Sequence, residues 1–158
     1  MAITIITVGK LKEAWQRDAC TEYMKRLKRF GAIEIKEVPD QPEPDKPSEA
    51  LNRKVKDAEG KEILSLIKPT DRVVTLCING KSYDSEGFAQ KIAQWTGDGK
   101  RLVLIIGGSL GLSDEVLKRA DDTLSFSKMT FPHQLMRVIL LEQLYRAHKI
   151  NANERYHK

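Results

Sequence analysis

The chain has 158 residues, of which 41% are hydrophobic, and its 27 Lys and Arg residues outnumber 22 Asp and Glu residues. A chain of this length can bury a core without disulfides or a structural metal, so we expect one domain spanning residues 1–158. The net charge of +5 favours polyanionic partners such as nucleic acid, and no apolar run approaches the roughly 20 residues that span a bilayer.

The N-terminal stretch MAITIITVGK lacks the basic segment and the cleavage pattern of a signal peptide, so we expect a cytosolic protein. Cys20 and Cys77 are far apart and flanked by apolar residues, which predicts buried free thiols and no metal site. Basic residues crowd the first thirty and the last thirteen positions. Such runs, taken alone, are most often solvated helix faces.

The first half of the chain predicts strand, helix, strand and helix in turn. Ala2–Val8 is rich in β-branched residues, as buried strands are, and Ala32–Val38 alternates like a half-buried strand. Four prolines in residues 39–47 exclude regular structure, and Ser48 can cap the helix that follows. The apolar positions of the two helices are Trp15, Ala19, Tyr23 and Leu27 in the first, and Leu51, Val55, Ala58, Leu64 and Ile67 in the second.

The second half continues the alternation. Arg72–Ile78 and Arg101–Gly108 are near-continuous apolar runs, typical of strands covered on both faces of a parallel sheet. Thr123–Ser127 is predicted as a fifth, short strand. The helices of this half are an amphipathic one at Ser85–Thr96 with Phe88, Ile92 and Trp95 inward, a short one capped by Ser113, and a last one that Pro132 starts. The pattern indicates an α/β domain with a mostly parallel five-stranded sheet flanked by helices.

Ligands bind parallel α/β sheets beyond the carboxyl ends of the strands. The first such end, TVGKLK, lacks the G-x-G-x-x-G of dinucleotide sites. The third, TLCINGKS, ends like a P-loop but has Thr75 where glycine is required, which favours a tight turn at Asn79 and Gly80. The fourth, IIGGSLGLS, carries three glycines in five residues, and SFSKMT precedes the last helix, whose start offers free amide donors.

Three stretches of the sequence, IIGGSLGL, LSFSKMTFPHQLMRVILLEQLYRA and the terminal YHK, together closely resemble the RlmH family of bacterial ribosomal RNA methyltransferases, in the SPOUT superfamily. The resemblance covers the whole chain. It implies a SPOUT-type fold with a C-terminal trefoil knot, S-adenosylmethionine bound in the knotted loops, and a homodimer with its active site at the subunit interface. The implied reaction is methylation of N3 of a pseudouridine in 23S ribosomal RNA. Ser109 and Leu110 stand where some relatives have Pro-Glu, but the glycines are intact.

Carried over to this sequence, the family's cofactor site comprises Leu76, Gly107, Gly108, Phe126, Ser127, Lys128, Met129, Thr130 and Phe131. The candidate catalytic residues are His133, Arg137, Tyr156 and His157. His133 and Arg137 are four residues apart and share one helix face, which places an imidazole and a guanidinium together, and Tyr156 and His157 would reach across the interface toward the RNA. The sequence does not identify the group that removes the N3 proton.

Plainer interpretations compete with each of these roles. Arg137 could pair with Glu142 or solvent, His133 could bond to its own helical turn, and the tail could be disordered. The apolar last helix is either a core helix or one packed by its own domain and a second subunit. Two rival functions are a non-enzymatic, ribosome-associated RNA-binding factor and a phosphate-handling enzyme that binds ATP and magnesium through Lys81.

Overall fold

The computed structural model describes residues 1–158 and contains one five-stranded sheet. The strands are β1 (Ala2–Val8), β2 (Ala32–Val38), β3 (Arg72–Leu76), β4 (Leu102–Ile106) and β5 (Asp122–Leu124), in the spatial order β2-β1-β4-β3-β5. Every pairing is parallel. The predicted α/β fold is therefore confirmed, with a sheet that is parallel throughout.

Five α-helices connect and cover the strands. They are α1 (Ala14–Leu27), α2 (Glu49–Ser65), α3 (Ser85–Thr96), α4 (Asp114–Arg119) and α5 (His133–Asn151), and a 3-10 turn follows α1 at Lys28–Phe30. Ser48 caps α2 as predicted, because its hydroxyl accepts a hydrogen bond of 3.1 Å from the Leu51 amide. Ser113 caps α4 in the same way, whereas Pro132 lies at the N-cap of α5, one residue before the helix.

The sheet is the middle of three layers. Side chains alternate between its two faces, so that Ile5 and Leu104 pack with α1, α3 and α5 while Ile6 and Ile105 pack with α2 and α4. Both faces of β4 are fully buried. This explains the near-continuous apolar run by which the strand is predicted.

Three strands are shorter than predicted. The expected ends at Ile78, Gly108 and Ser127 lie beyond the last paired residues of β3, β4 and β5. Tight turns begin there, because the Gly80 amide donates to the Cys77 carbonyl and the Gly111 amide donates to the Gly108 carbonyl, each at 3.0 Å.

Leu27 of α1 is buried as predicted, but other predicted positions of α1 and α2 are not. Trp15 is 56% exposed and Leu51 is 44% exposed. Gln16 and Cys20 are buried on α1 instead, and the buried positions of α2 are Glu59, Gly60 and Ile63. Of the two predicted buried thiols, Cys20 is buried and Cys77 is only partly so.

An ion pair closes the amino-end edge of the sheet. The Asp71 side chain, 2% exposed, accepts hydrogen bonds from the Nε and a terminal nitrogen of Arg101 and from the Lys68 amide. The Arg101 guanidinium holds the pKa of Asp71 below its usual value. The pair fixes the segment that leads into β3.

The C-terminal part of α5 contains a buried histidine. His148 is 7% exposed and stacks on the Phe30 ring at a centroid distance of 5.2 Å. Its Nε2 atom has no hydrogen-bond partner, and burial lowers its pKa. The imidazole is thus packed as a neutral ring.

No helix is both long and apolar enough to cross a membrane. No group of three or more His, Cys, Asp or Glu residues is arranged to hold a metal ion.

Candidate cofactor site at the carboxyl edge of the sheet

A cavity of about 810 Å³ opens at the carboxyl edge, between the loops after β3, β4 and β5 and the first turn of α5. Cavities of this size accommodate cofactors and drug-sized ligands. Its walls include eight of the nine predicted cofactor residues, namely Leu76, Gly107, Gly108, Phe126, Ser127, Met129, Thr130 and Phe131. Lys128 is the exception, since it is exposed and does not line the cavity.

The loop after β4 forms one wall and requires its glycines. A Cβ on Gly107 would lie 3.0 Å from the Gly111 carbonyl carbon and from the Leu112 side chain. A Cβ on Gly108 would lie 3.1 Å from a carboxylate oxygen of Glu59. Gly111 has a φ of +90°, which disfavours other residues. The glycines therefore bring bare backbone to the cavity surface.

The turn after β3 supports the opposite wall. A Cβ on Gly80 would lie 2.7 Å from the carbonyl carbon of Leu124. The Cys77 amide donates to the Leu124 carbonyl at 2.9 Å, and the Ser125 amide donates to the Lys81 carbonyl at 2.8 Å. The Asn79 and Gly80 segment is thus the tight turn that its sequence indicates, locked to the end of β5.

Lys81 does not act as a P-loop lysine in this fold. Its ammonium group lies 3.1 Å from Asp122, at the edge of the sheet, and it does not line the cavity. Thr75, at the position where a P-loop needs glycine, is fully buried in β3. The geometry argues against the phosphate-handling alternative.

The serine-bearing loop after β5 is held by its own hydroxyls. Ser125 donates to the Ser127 carbonyl at 3.0 Å, and the Ser127 hydroxyl accepts from the Met129 amide at 2.9 Å. Met129 is 74% exposed at the mouth of the cavity. This loop forms a preshaped rim with an apolar side chain left free for contact.

His133 and Arg137 share a helix face as predicted, but they face different surroundings. His133 lines the cavity, whereas Arg137 is 4% exposed and donates to Glu37 and to the Gly9 carbonyl, each at 3.1 Å. The pairing of Arg137 with Glu142 is therefore wrong. Burial and, next, the Arg137 charge lower the pKa of His133, so that its imidazole is mostly neutral at pH 7.

The terminal Tyr156 and His157 fold back on α5, and neither lines the cofactor cavity of its own chain. The Tyr156 hydroxyl donates to Glu142 at 3.2 Å, and Nδ1 of His157 lies 3.3 Å from Arg146. Burial and the nearby Glu142 charge raise the pKa of Tyr156. The tail is ordered against the helix.

His157 also lines a second cavity of about 650 Å³. Phe126 and Phe131 belong to the walls of both cavities. Within one chain, these two rings therefore separate the predicted catalytic tail from the cofactor cavity.

Several wall residues lie outside the predicted set. Cys77, Ile78 and Leu117 line the cavity, and the last two are 46% and 40% exposed. The apolar character of residues 77 and 78 is visible in the sequence, where it extends the predicted strand. Leu117 carries no such signal, because only the packing of α4 brings it to the cavity.

The lining determines what the cavity can hold. Apart from Cys77 and His133, no ionisable side chain lines it, and apolar residues predominate. Apolar walls suit an adenine ring and a thioether chain, and the exposed backbone of the glycine turn offers hydrogen-bonding groups. The residues present fit S-adenosylmethionine.

Two solved structures share the fold of this chain. A Legionella pneumophila protein solved in complex with the bound cofactor S-adenosylmethionine is similar at a TM-score of 0.50 and 12% identity, over 93% of this chain. A probable methylase family protein from Haemophilus influenzae gives a TM-score of 0.54 and 14% identity over 96% of this chain. The chain spans 66% of the length of each of these two structures, and the likeness concerns the fold alone.

Sequence comparison is more specific. The family described as Predicted SPOUT methyltransferase matches residues 1–157. Proteins named Ribosomal RNA large subunit methyltransferase H are 53% identical in an Exiguobacterium species and 54% identical in Bifidobacterium animalis subsp. lactis, over the full length of both chains. The chain belongs to the SPOUT methyltransferases and, within them, to the family of ribosomal RNA large subunit methyltransferase H, as the sequence motifs predict.

Proposed function

We propose that the chain transfers a methyl group from S-adenosylmethionine to N3 of a pseudouridine in 23S ribosomal RNA of the large ribosomal subunit. The observation that carries this proposal is the cavity at the carboxyl edge, whose walls contain eight of the nine residues assigned to the cofactor. Membership of a family whose relatives are named as large-subunit ribosomal RNA methyltransferases supports the substrate class.

The chemistry demands alignment and removal of one proton. Bound S-adenosylmethionine supplies a methyl group on a sulfonium, which is already activated for transfer. The protein has to hold donor and acceptor in line and favour loss of the N3 proton, which titrates above neutral pH. Two histidines are candidates for the base that accepts this proton. One is His133 in the cavity wall, whose imidazole is held neutral, and the other is His157 in the tail.

A second copy of the chain would complete the active site. The tail of one chain is separated from its own cofactor cavity by Phe126 and Phe131. Apolar residues of the N-terminal half of α5 stay only half-buried, namely Leu135, Met136, Val138 and Ile139. A homodimer packed on this face would bury them and bring one tail to the partner's cavity. The trefoil knot implied by the family stays a prediction.

The RNA affinity would come from basic residues that have no acidic partner. Lys10 and Lys12 are exposed on the loop that follows β1, beside Gly9, and Gly9 adjoins His133 of the cavity wall. Contacts of these lysines to phosphates release counterions, so binding should weaken steeply with added salt. A basic surface next to the cavity suits a polyanionic substrate.

The first test measures binding and transfer together. Wild-type protein is titrated with S-adenosylmethionine by calorimetry and incubated with labelled cofactor and naked 23S RNA, large subunits or assembled ribosomes. We expect calorimetry to show that the protein binds S-adenosylmethionine, and we expect the labelled methyl group to appear at one pseudouridine. The non-enzymatic RNA-binding alternative requires that no cofactor binds. Replacing His157 by Ala should abolish transfer with cofactor affinity changed less than about twofold.

A mixed dimer tests whether the tail acts on the partner. One chain carries His157→Ala, and the other carries Gly107→Val, which blocks its cofactor wall. If each tail serves the partner's cavity, the mixed dimer has one intact site and recovers activity that neither parent has. If each tail serves its own cavity, the mixed dimer stays inactive.

A further inference from the structure

A buried carboxylate lies behind the glycine wall of the cofactor cavity. Glu59, on α2, is 5% exposed. One of its oxygens accepts a hydrogen bond of 3.0 Å from the Gln41 amide. The other lies against Gly108, where a Cβ would be 3.1 Å away. Since Gly108 lines the cavity, this carboxylate lies directly against a residue of the cavity wall.

Nothing within the chain balances this charge. No Lys or Arg contacts Glu59, and the charged groups that act on it, Asp40 and Glu43, are both acidic. Burial and, after it, these two carboxylates raise its pKa. A buried carboxylate without a cation costs stability, and a cation bound in the neighbouring cavity would offset part of that cost.

The cavity itself holds no acidic side chain. S-adenosylmethionine carries a sulfonium and an ammonium against one carboxylate, a net charge of +1, whereas the product S-adenosylhomocysteine is neutral overall. The cofactor of the proposed function therefore brings a cation to a cavity whose lining provides no counter-charge. The negative charge of Glu59, which no cation of the chain balances, therefore complements the positive charge of the cofactor, which no side chain of the cavity wall balances.

We propose that Glu59 is a specificity-determining residue, whose charge acts through the Gly108 backbone to favour S-adenosylmethionine over the spent product. This inference rests on the proposed function. Because Glu59 is buried, solvent and salt screen its field much less than that of a surface carboxylate. The preference for the charged cofactor would promote exchange after each turnover.

A purely structural role makes a different prediction. Glu59 joins the proline-rich loop of residues 39–47 to the glycine turn, through Gln41 on one side and Gly108 on the other. If it only shaped the wall, its loss would weaken the binding of cofactor and product alike, since both occupy the same cavity. A change in the ratio of the two affinities is the signature of the charge.

The experiment measures both dissociation constants by calorimetry in wild type, Glu59→Gln and Glu62→Gln. Glutamine keeps the size of Glu59 and the acceptor for the Gln41 backbone amide. Glu62, exposed and three residues further along the same helix, is the matched control for losing one negative charge. We expect Glu59→Gln to weaken S-adenosylmethionine binding roughly tenfold, with the product changed less than about twofold. Glu62→Gln should change neither by more than about twofold.

Equal losses for both ligands in Glu59→Gln, or no loss for either, would overturn the inference while leaving the proposed function standing. Failure of wild type to bind S-adenosylmethionine would overturn the proposed function as well. Circular dichroism and thermal unfolding of the ligand-free variants establish that they fold. If Glu59→Gln does not fold, Glu59→Met, of similar volume and also uncharged, gives the same comparison.

Discussion

Replacing Gly80 by Ala should destabilise the protein and impair its cofactor site together. The added Cβ would lie 2.7 Å from the Leu124 carbonyl carbon and 2.9 Å from the Leu124 nitrogen and oxygen. All three atoms are backbone, so no side chain can rotate away, and the strand end has to move by about 0.7 Å to restore van der Waals distance. Overpacking of this kind costs about 2–3 kcal/mol. For a chain of this size, the cost corresponds to a fall of roughly 5–10 °C in the melting temperature.

Cofactor binding reports the local effect of the same substitution. Leu124 leads directly into Ser125 and the serine-bearing rim, so its displacement should weaken S-adenosylmethionine binding beyond the loss of stability, measured by calorimetry well below the melting temperature. Asn79→Ala, on the exposed side of the same turn, is the matched control and should leave both quantities unchanged within error. A Gly80→Ala protein that melts and binds like wild type would refute the close-contact argument.

Two of the groups with shifted pKa values, Asp71 and His148, allow separate tests of how stability depends on pH. The folded-state pKa of Asp71 is lowered, so its pairing with Arg101 stabilises the fold above the unfolded pKa of about 4 and is lost as the pH falls through the folded value. Asp71→Asn should cost about 3 kcal/mol at pH 7 in urea unfolding, less at pH 3, and an equal loss at both would contradict the ion-pair reasoning. The folded-state pKa of His148 is also lowered, so the unfolded chain takes up a proton first and stability falls as the pH drops below about 6.5. His148→Leu should reduce this fall between pH 7 and 5, and an unchanged slope would show that the imidazole is not the cause.

The sequence predicts the order and type of the elements, because buried parallel strands and amphipathic helices leave strong patterns. It places the C-terminal ends of β3, β4 and β5 too far along the chain, and this has a physical reason. Ile78 and Phe126 are apolar like the strands before them, but they line cavities and have no partner strand. In a single sequence, an apolar residue that lines a ligand cavity cannot be distinguished from one that packs in a sheet.

The assignment of the cofactor residues comes from the family resemblance, because the glycines at the end of β4, taken alone, fit a simple strand-to-helix turn about as well. The partners of charged residues are harder to predict from the sequence. Arg137 bonds to Glu37 and Gly9, which are 100 and 128 positions away, so local spacing wrongly suggested Glu142. Glu59 stands in a helix among other charged residues, and only the folded chain shows that it is buried against Gly108.

The order of the strands has a consequence for synthesis on the ribosome. The interior strand β1 pairs with β2 early in the chain, but its other neighbour, β4, begins only at Leu102. At about 5–20 residues per second, roughly 3–13 s pass between completion of Val38 and the appearance of β4. Throughout that interval β1 has no partner on its second edge, and an unpaired strand edge can pair with another chain, so shielding of the nascent chain during synthesis should raise the yield of folded protein.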